Sequence, residues 1–144
     1  AGRTPAQLAE KADGESWSVD EILAHLRACV DVWGKMIDAM LTEEQPTLRH
    51  LSPRTYLRKT NYLDLSFAEL WPVFVTERRA LLAKLQPLTV AQWSRSATIK
   101  RSAKMRDQQE TVFSKARQMA LHEEGHCAQI EELMGRQRNV AQYL

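Results

Sequence analysis

Residues 18–41, SVDEILAHLRACVDVWGKMIDAML, decide the fold of this chain. Ser18 and Glu21 have the spacing of a capping box, which satisfies the free N–H groups at the start of a helix. Pro46 prevents any continuation of that helix. The sequence therefore predicts a helix from Ser18 to Leu41. Its apolar side chains recur three and four positions apart, as one buried helix face requires; they are Val19, Ile22, Leu26, Cys29, Trp33, Met36 and Met40.

A second helix begins at another capping box, formed by Ser66 and Glu69. Pro87 ends it, and Pro72 falls within its second turn, where we expect a local irregularity but no break in the element. The apolar stripe of this helix consists of Phe67, Leu70, Phe74, Leu81 and Leu85.

The remaining segments are a third long helix and a short first one. Apolar residues in register predict a helix from about Glu110 to Arg136, whereas the segment from Pro5 to Lys11 has room for two turns at most. Strand-like alternation is weak everywhere, and Ala97-Thr98-Ile99 is the single candidate. We therefore expect an all-α protein.

Three long helices, each with one apolar stripe, bury those stripes best in a four-helix bundle. We expect one domain over residues 1–144, in which the first helix is short or truncated, or in which a partner chain supplies the missing face. The connections 42–65 and 88–109 are longer than most helix-to-helix loops. Connections of this length predict that the chain crosses over between helices of the bundle, or that the connections form a functional rim at its end.

Composition excludes several broad classes of protein. Twenty basic and 18 acidic residues give a net charge of +2, so the total charge requires neither nucleic acid nor an anionic membrane as a partner. No apolar run approaches the roughly 20 residues that span a bilayer. We expect a cytoplasmic protein, with Cys29 and Cys127 as free thiols.

The segment 121–130, LHEEGHCAQI, carries the clearest chemical signal. His122 and His126 lie four residues apart, so both imidazoles project from one helix face and can reach one metal ion. Two polar residues on a solvated face are the plainer reading. His25, beside the buried line of the first long helix, can complete a face of three nitrogens, because metal sites in bundles are assembled from facing helices. Three protein ligands leave a position open for substrate, as in catalytic sites. His50 lies in a loop, and we expect a surface role for it.

Two motifs of this chain resemble the DinB-like superfamily, which includes the YfiT-type metal proteins. They are the segment 17–26, WSVDEILAHL, and the pair His122 and His126 followed by Gln129-Ile130. The resemblance covers nearly the whole chain and implies a four-helix bundle with a three-histidine site for a divalent metal. The implied ligands are His25, His122 and His126. The near-absence of the first helix departs from the family pattern.

The resemblance also implies chemistry. Relatives include metal-dependent transferases and isomerases that use thiols such as bacillithiol, mycothiol or glutathione, so the expected partners are a small-molecule substrate and a thiol. Three imidazoles accept zinc, nickel, iron and copper alike; zinc or nickel is the foremost expectation, with iron as a further candidate. Arg49, Arg54, Arg58 and Lys59 could hold carboxylates of the thiol, although a solvated basic loop is the favoured reading. The catalytic residues are not identified by the sequence.

Two other functions remain open. One is a peptidase or other hydrolase that uses Glu123, within His122-Glu123-x-x-His126, as general base. Gln129 and Glu132 depart from the extended metzincin pattern and count against it. The other is a non-enzymatic, stress-related binding module that uses a basic cluster, for which a solvated loop is again the plainer reading; the cluster is Arg95, Lys100, Arg101, Lys104 and Arg106.

Three finer expectations follow from neighbours in the sequence. Cys29 lies one helical turn from His25, and Cys127 is next to His126, so a protein thiolate could occupy the open metal position. Glu123 or Glu124 is expected to accept the second N–H of a ligand histidine. We expect apolar surface to remain exposed at Met36, Met40 and the short first helix, which predicts a two-fold symmetric homodimer. We expect no nucleic-acid partner.

Overall fold

The computed structural model describes residues 2–11 and 16–141, with the side chains of 136–141 left aside. In these residues the helices are α1 (Pro5–Ala9), α2 (Val19–Thr42), α3 (Pro53–Leu57), α4 (Phe67–Leu85), α5 (Val90–Trp93) and α6 (Val112–Ala141). The strands are β1 (Thr47–Arg49), β2 (Ser96–Lys100) and β3 (Gln108–Thr111), and a single 3-10 turn spans Tyr62–Asp64.

Helix α2 is the central element of the bundle, because it packs against α4 on one side and α6 on the other. Its start is fixed by the predicted capping box: the Glu21 N–H donates to Ser18 Oγ at 3.2 Å, and the Ser18 N–H donates to Glu21 Oε2 at 2.8 Å. The prediction of a helix over 18–41 is confirmed to within one residue at each end. Met36 and Met40 are buried within the single chain, so the expectation that they leave apolar surface is wrong.

The other two long helices also form where the sequence places them. Helix α4 runs without a break through Pro72, although Pro72, the sixth residue of the helix, has no N–H to donate to the carbonyl of Ala68 one turn earlier. Helix α6 begins two residues after the predicted Glu110, because residues 108–111 form β3, and it continues past Arg136 to Ala141.

The small sheet corrects the prediction of an all-α fold. Its order is β1-β2-β3, with β1 parallel to β2 and β2 antiparallel to β3. Thr47 pairs with Thr98, and Ser96 pairs with Thr111. The strands have three to five residues each, and burial alternates clearly in β2 alone, where Ala97 and Ile99 point inward. Pairing between two distant connections therefore creates a sheet that local periodicity does not reveal.

The first helix is short, as expected, with five residues capped by Thr4. The Arg3 guanidinium donates to the Met134 carbonyl at 2.5 Å, which joins the start of the described chain to the late part of α6. Beside it, an apolar cleft of about 500 Å³ lies among α1, α2, α4 and α6. Within the described residues, no helix is both long and apolar enough to cross a membrane.

Candidate metal centre

Three histidines from two helices meet between α2 and α6. The Nε2 atoms of His25 and His122 lie 2.9 Å apart, so one ring donates a hydrogen bond to the other. The His126 ring centroid lies 5.0 Å from that of His25 and 4.6 Å from that of His122. The rings of all three predicted site residues thus lie close together, and the ligand atoms that lie within 4.8 Å of one another belong to His25, Cys29 and His122. His50 is exposed, as expected of a surface residue.

Helix periodicity explains this convergence. His122 and His126 are one turn apart on the face of α6 that packs against α2. His25 occupies the facing side of α2, and only 3% of its surface is exposed, because the core residues of α2 surround it. The two rigid helices therefore position the imidazoles, and no loop is involved.

Cys29 extends the cluster by a sulfur atom. One potential ligand atom from each of His25, Cys29 and His122 lies within 4.8 Å of the others, and Cys29 Sγ is 3.5 Å from His25 Nε2. Burial, together with the charge of Glu123, raises the pKa of the Cys29 thiol to about 12. The thiol is therefore protonated in the metal-free protein. In the sequence, Cys29 is indicated as a member of the cluster by its position one helical turn after His25. Cys29 and the exposed Cys127 are both free thiols, as predicted.

The electrostatics of the cluster favour neutral imidazoles. Burial, together with positive charge on His126, His122 and Arg54, lowers the pKa of His25 to about 4. Burial also lowers the pKa of His122, with contributions from His126 and Arg54. Near pH 7 these two rings have unprotonated nitrogens, which is the state that binds a metal.

A glutamine side chain orients the third ring. His126 Nδ1 lies 3.0 Å from Gln129 Oε1, and since an amide oxygen only accepts, Nδ1 carries the proton and donates. The Nε2 lone pair of His126 is then free for a ligand. The expectation that Glu123 or Glu124 accepts from a ligand histidine stays a prediction; in the structure both oxygens of the Glu123 carboxylate accept from Arg78 Nε on α4, at 2.9 and 2.8 Å. Glu124 is exposed.

Two tryptophans form walls beside the histidines. The Trp17 ring lies 4.9 Å from the His25 ring, and the Trp33 ring lies 5.1 Å from the His122 ring. The Arg54 guanidinium sits 5.0 Å above the Trp17 ring. Of the four basic residues in the first long connection, Arg54 reaches the cluster. All four side chains are exposed, Arg54 as well as Arg49, Arg58 and Lys59.

The donor set fits a divalent metal. Three imidazoles converge, two of them have a depressed pKa, and the third presents its Nε2 through the contact to Gln129. One detail differs from common metal sites, in which the second ring nitrogen is hydrogen-bonded. His25 Nδ1 is buried and has no hydrogen-bond partner in the part of the chain that the structure describes.

The basic cluster before α6 has partners within the protein. Arg95 donates to the carbonyls of Met40 and Glu43 at 2.6 and 2.7 Å, which fastens β2 to the end of α2. Lys100 pairs with Asp107. These cations therefore serve in part to hold the connections together.

The fold and the histidine cluster define a helical bundle with a candidate metal centre. The profile of the DinB superfamily matches residues 1–130, and the chain belongs to that superfamily. This confirms the resemblance seen in the sequence. No curated protein matches the chain.

Among solved structures, the chain is similar to YfiT from Bacillus subtilis, described as a probable metal-dependent hydrolase with an unusual four-helix bundle topology. The two are 20% identical, with a TM-score of 0.74 over 94% of this chain and 75% of that one. The likeness shows the fold: a mostly helical protein of the four-helix-bundle type, with a small sheet added.

Proposed function

We propose that His25, His122 and His126 hold a divalent metal ion. With this metal, the protein would act as a thiol S-transferase, which joins a small thiol to a substrate, or as a thiol-dependent isomerase. The observation that carries this proposal is the meeting of three imidazoles, two of them in direct contact at 2.9 Å. Cys29, beside His25, offers a protein sulfur atom that could compete with the external thiol.

A bound divalent metal would supply Lewis-acid chemistry, which lowers the pKa of a thiol and makes it a nucleophile at neutral pH. The residues of the chain prepare that chemistry. Burial keeps His25 unprotonated, and Gln129 fixes the orientation of His126. Trp17 and Trp33 wall the cluster, and Arg54 above Trp17 is placed to bind an anionic group of the thiol.

Hydrolysis is the second candidate function, since the structurally similar YfiT is described as a probable metal-dependent hydrolase. A peptidase-type mechanism would use Glu123 as general base. The ion pair between Glu123 and Arg78 turns that carboxylate toward α4 and occupies both of its oxygens. A thiol bound to metal needs no such base, which is why thiol chemistry is preferred here.

The first experiment measures metal content. Protein purified without chelator should contain about one equivalent of divalent metal, because three histidines make one site. His25→Ala should lose most of it, whereas His50→Ala, which changes an exposed histidine outside the cluster, should retain it. Elemental analysis of the three proteins decides the matter: equal metal in wild type and His25→Ala would contradict the site.

The second experiment tests the thiol. In the cobalt-loaded protein, bacillithiol, mycothiol or glutathione should produce a sulfur-to-metal charge-transfer band, and His122→Ala and His126→Ala should abolish it. The double variant Cys29→Ser, Cys127→Ser removes both protein thiols and should still respond to added thiol. A band that is present without thiol and lost in the double variant would instead show ligation by the protein itself. Cleavage of ester or amide substrates without any thiol response would favour the hydrolase.

A further inference from the structure

A second cleft, of about 320 Å³, is lined in part by Trp33, whose ring also lies 5.1 Å from that of His122. Lys115 and Gln118 of α6 line it, together with Arg101 and Gln108 from the hairpin of β2 and β3. Positions 115 and 122 are two turns apart on one face of α6, about 10 Å along the helix axis. The cleft therefore continues along the same helix face that carries His122.

Lys115 is an unusual residue in this position, because it is 5% exposed. Its Nζ donates to Gln118 Oε1 at 2.8 Å, lies 3.5 Å from Glu110 Oε1, and sits 5.9 Å from the centre of the Trp33 ring. A buried ammonium is costly unless it is paired, so a residue with a long flexible stem would ordinarily extend to solvent. In the structure the Lys115 ammonium instead lies beside Trp33, the residue that contacts both the cleft and the histidine cluster.

Arg101 brings a second cation to the same cleft. One of its terminal nitrogens donates to Gln108 Oε1 at 2.6 Å. Its Nε is buried and has no hydrogen-bond partner in the described part of the chain. Burial lowers the pKa of Lys115, the contact with Glu110 partly opposes that shift, and the positive charge of Arg101 adds to it because the two cations repel each other.

The charges of the residues that line the cleft indicate which ligand group would complement them. Among the described residues that line the cleft, Lys115 and Arg101 carry permanent positive charges, His50 adds an imidazole, and Glu110 is the one carboxylate. Glu110 is already engaged, since Ser114 Oγ donates to its Oε2 at 2.8 Å and Lys115 lies beside its Oε1. One positive charge and one buried N–H remain without a partner. A singly charged carboxylate supplies both, whereas a doubly charged phosphate would leave an excess of negative charge.

We propose that this cleft binds a carboxylate of the small-molecule substrate, through Lys115 and Arg101, while another part of the same molecule reaches the histidine cluster past Trp33. The part of this inference in which the substrate extends to the histidines rests on the proposed metal function. The binding of the carboxylate in the cleft does not depend on it. The volume of the cleft is at the small end of ligand pockets, which indicates a compact molecule with few atoms beyond the carboxylate.

The first test uses metal-free protein and two matched probes, butyrate and the neutral butyramide, with binding measured by ligand-observed NMR. Butyrate should bind at least about tenfold more tightly than butyramide. Lys115→Met and Arg101→Gln should each abolish that preference. Lys104→Gln, which removes an exposed cation outside the cleft, should retain it. Arg101 is the safer variant for folding, because it lies in a partly exposed hairpin, and circular dichroism verifies both proteins.

The second test connects the cleft to the metal. In cobalt-loaded protein, 3-mercaptopropionate should give the sulfur-to-metal band at a concentration about tenfold lower than 3-mercaptopropionamide requires. Lys115→Met should equalise the two thiols without changing the cobalt content.

The outcomes separate the two proposals. If cobalt fails to bind at the histidines while butyrate still depends on Lys115 and Arg101, the metal proposal falls and the carboxylate site stands. If cobalt and thiols bind normally but the preference for carboxylate is the same in wild type and both variants, the carboxylate site is overturned. Tighter binding of inorganic phosphate than of butyrate at Lys115 would also overturn it, because the count of charges would then be wrong.

Discussion

At the residue scale, His25 combines burial with a ring nitrogen that has no partner. Its Nε2 contacts His122 and Cys29, while its Nδ1 is enclosed without a hydrogen bond among the described residues. Protonation would place a charge in this apolar position beside two other imidazoles. The side chain is therefore neutral in the folded protein. Protonating it at low pH should lower the free energy of unfolding.

This property predicts how the stability of the metal-free protein depends on pH. The pKa of His25 is about 4 in the folded state and 6.5 in the unfolded state, so the unfolded chain gains a proton first as the pH falls. The free energy of unfolding should thus be unaffected above pH 6.5 and decrease from there down to about pH 4, by roughly 2–3 kcal/mol in total. Urea unfolding at pH 7.5 and pH 4.5 measures the difference.

The matched variants are His25→Asn and His50→Asn. Asparagine cannot titrate, so His25→Asn should show a clearly smaller loss between the two pH values, and His50→Asn should behave as wild type. The same loss in all three proteins would assign the acid sensitivity to other groups.

The residues of the site differ in how far the sequence predicts them. The spacing of His122 and His126 and the position of His25 on an apolar face are local patterns, so the sequence alone is enough to indicate a cluster. Gln129 also has a local spacing, three residues after His126 on the same helix, although the spacing alone does not specify the hydrogen bond. Lys115 gives no comparable signal, because its burial depends on Trp33 of α2, which only the packing of α6 brings within reach.

At the scale of elements, one ion pair links α4 to α6. The side chains of Arg78 and Glu123 are 22% and 20% exposed, and Arg78 Nε contacts both carboxylate oxygens. Arg78→Met should lower the free energy of unfolding by about 1–2 kcal/mol, because it leaves a half-buried carboxylate without its partner. Chemical denaturation measures the change.

The control for this prediction is the pair of Lys84 and Asp38, which links α4 to α2 with side chains 46% and 49% exposed. Lys84→Met should cost no more than a few tenths of a kcal/mol, since solvent screens an exposed pair. Equal effects of Arg78→Met and Lys84→Met would mean that burial does not govern the strength of these pairs.

The same scale shows why the helices were predictable and the sheet was not. Capping boxes at Ser18 and Ser66 and stripes of apolar residues specify α2 and α4 within a few residues. In β1, by contrast, Thr47-Leu48-Arg49 is too short for alternation to rise above its surroundings. Its strand character comes from its partner β2, which lies in a different connection.

At the scale of the whole molecule, association is the open prediction. The apolar cleft beside α1 includes Phe67 and Trp71, and Trp71 is 47% exposed. We expect a two-fold symmetric homodimer that covers this surface, because contiguous exposed apolar patches mark association sites. Light scattering at tens of micromolar should give twice the mass of one chain.

Two variants make the association test specific. Trp71→Glu should yield monomer, whereas Val90→Glu, at an 83% exposed position outside the cleft, should not. A wild-type protein that is entirely monomeric at these concentrations would refute the dimer.

The parallel pairing of β1 with β2 also bears on how the chain reaches its native state. Thr47 meets Thr98 across about fifty intervening residues, so this contact requires the closure of a long loop, whereas helix formation needs local contacts alone. The hairpin of β2 and β3 is local, since Ile99 pairs with Gln108, so it can form early, whereas β1 can join it only after α4 has folded back on α2. His25 and His122 are 97 positions apart, so the histidine cluster requires a longer loop closure than the sheet does. The hairpin that carries Arg101 should therefore form before the three histidines meet. The chain would shape part of its ligand cleft before it acquires the capacity to hold a metal.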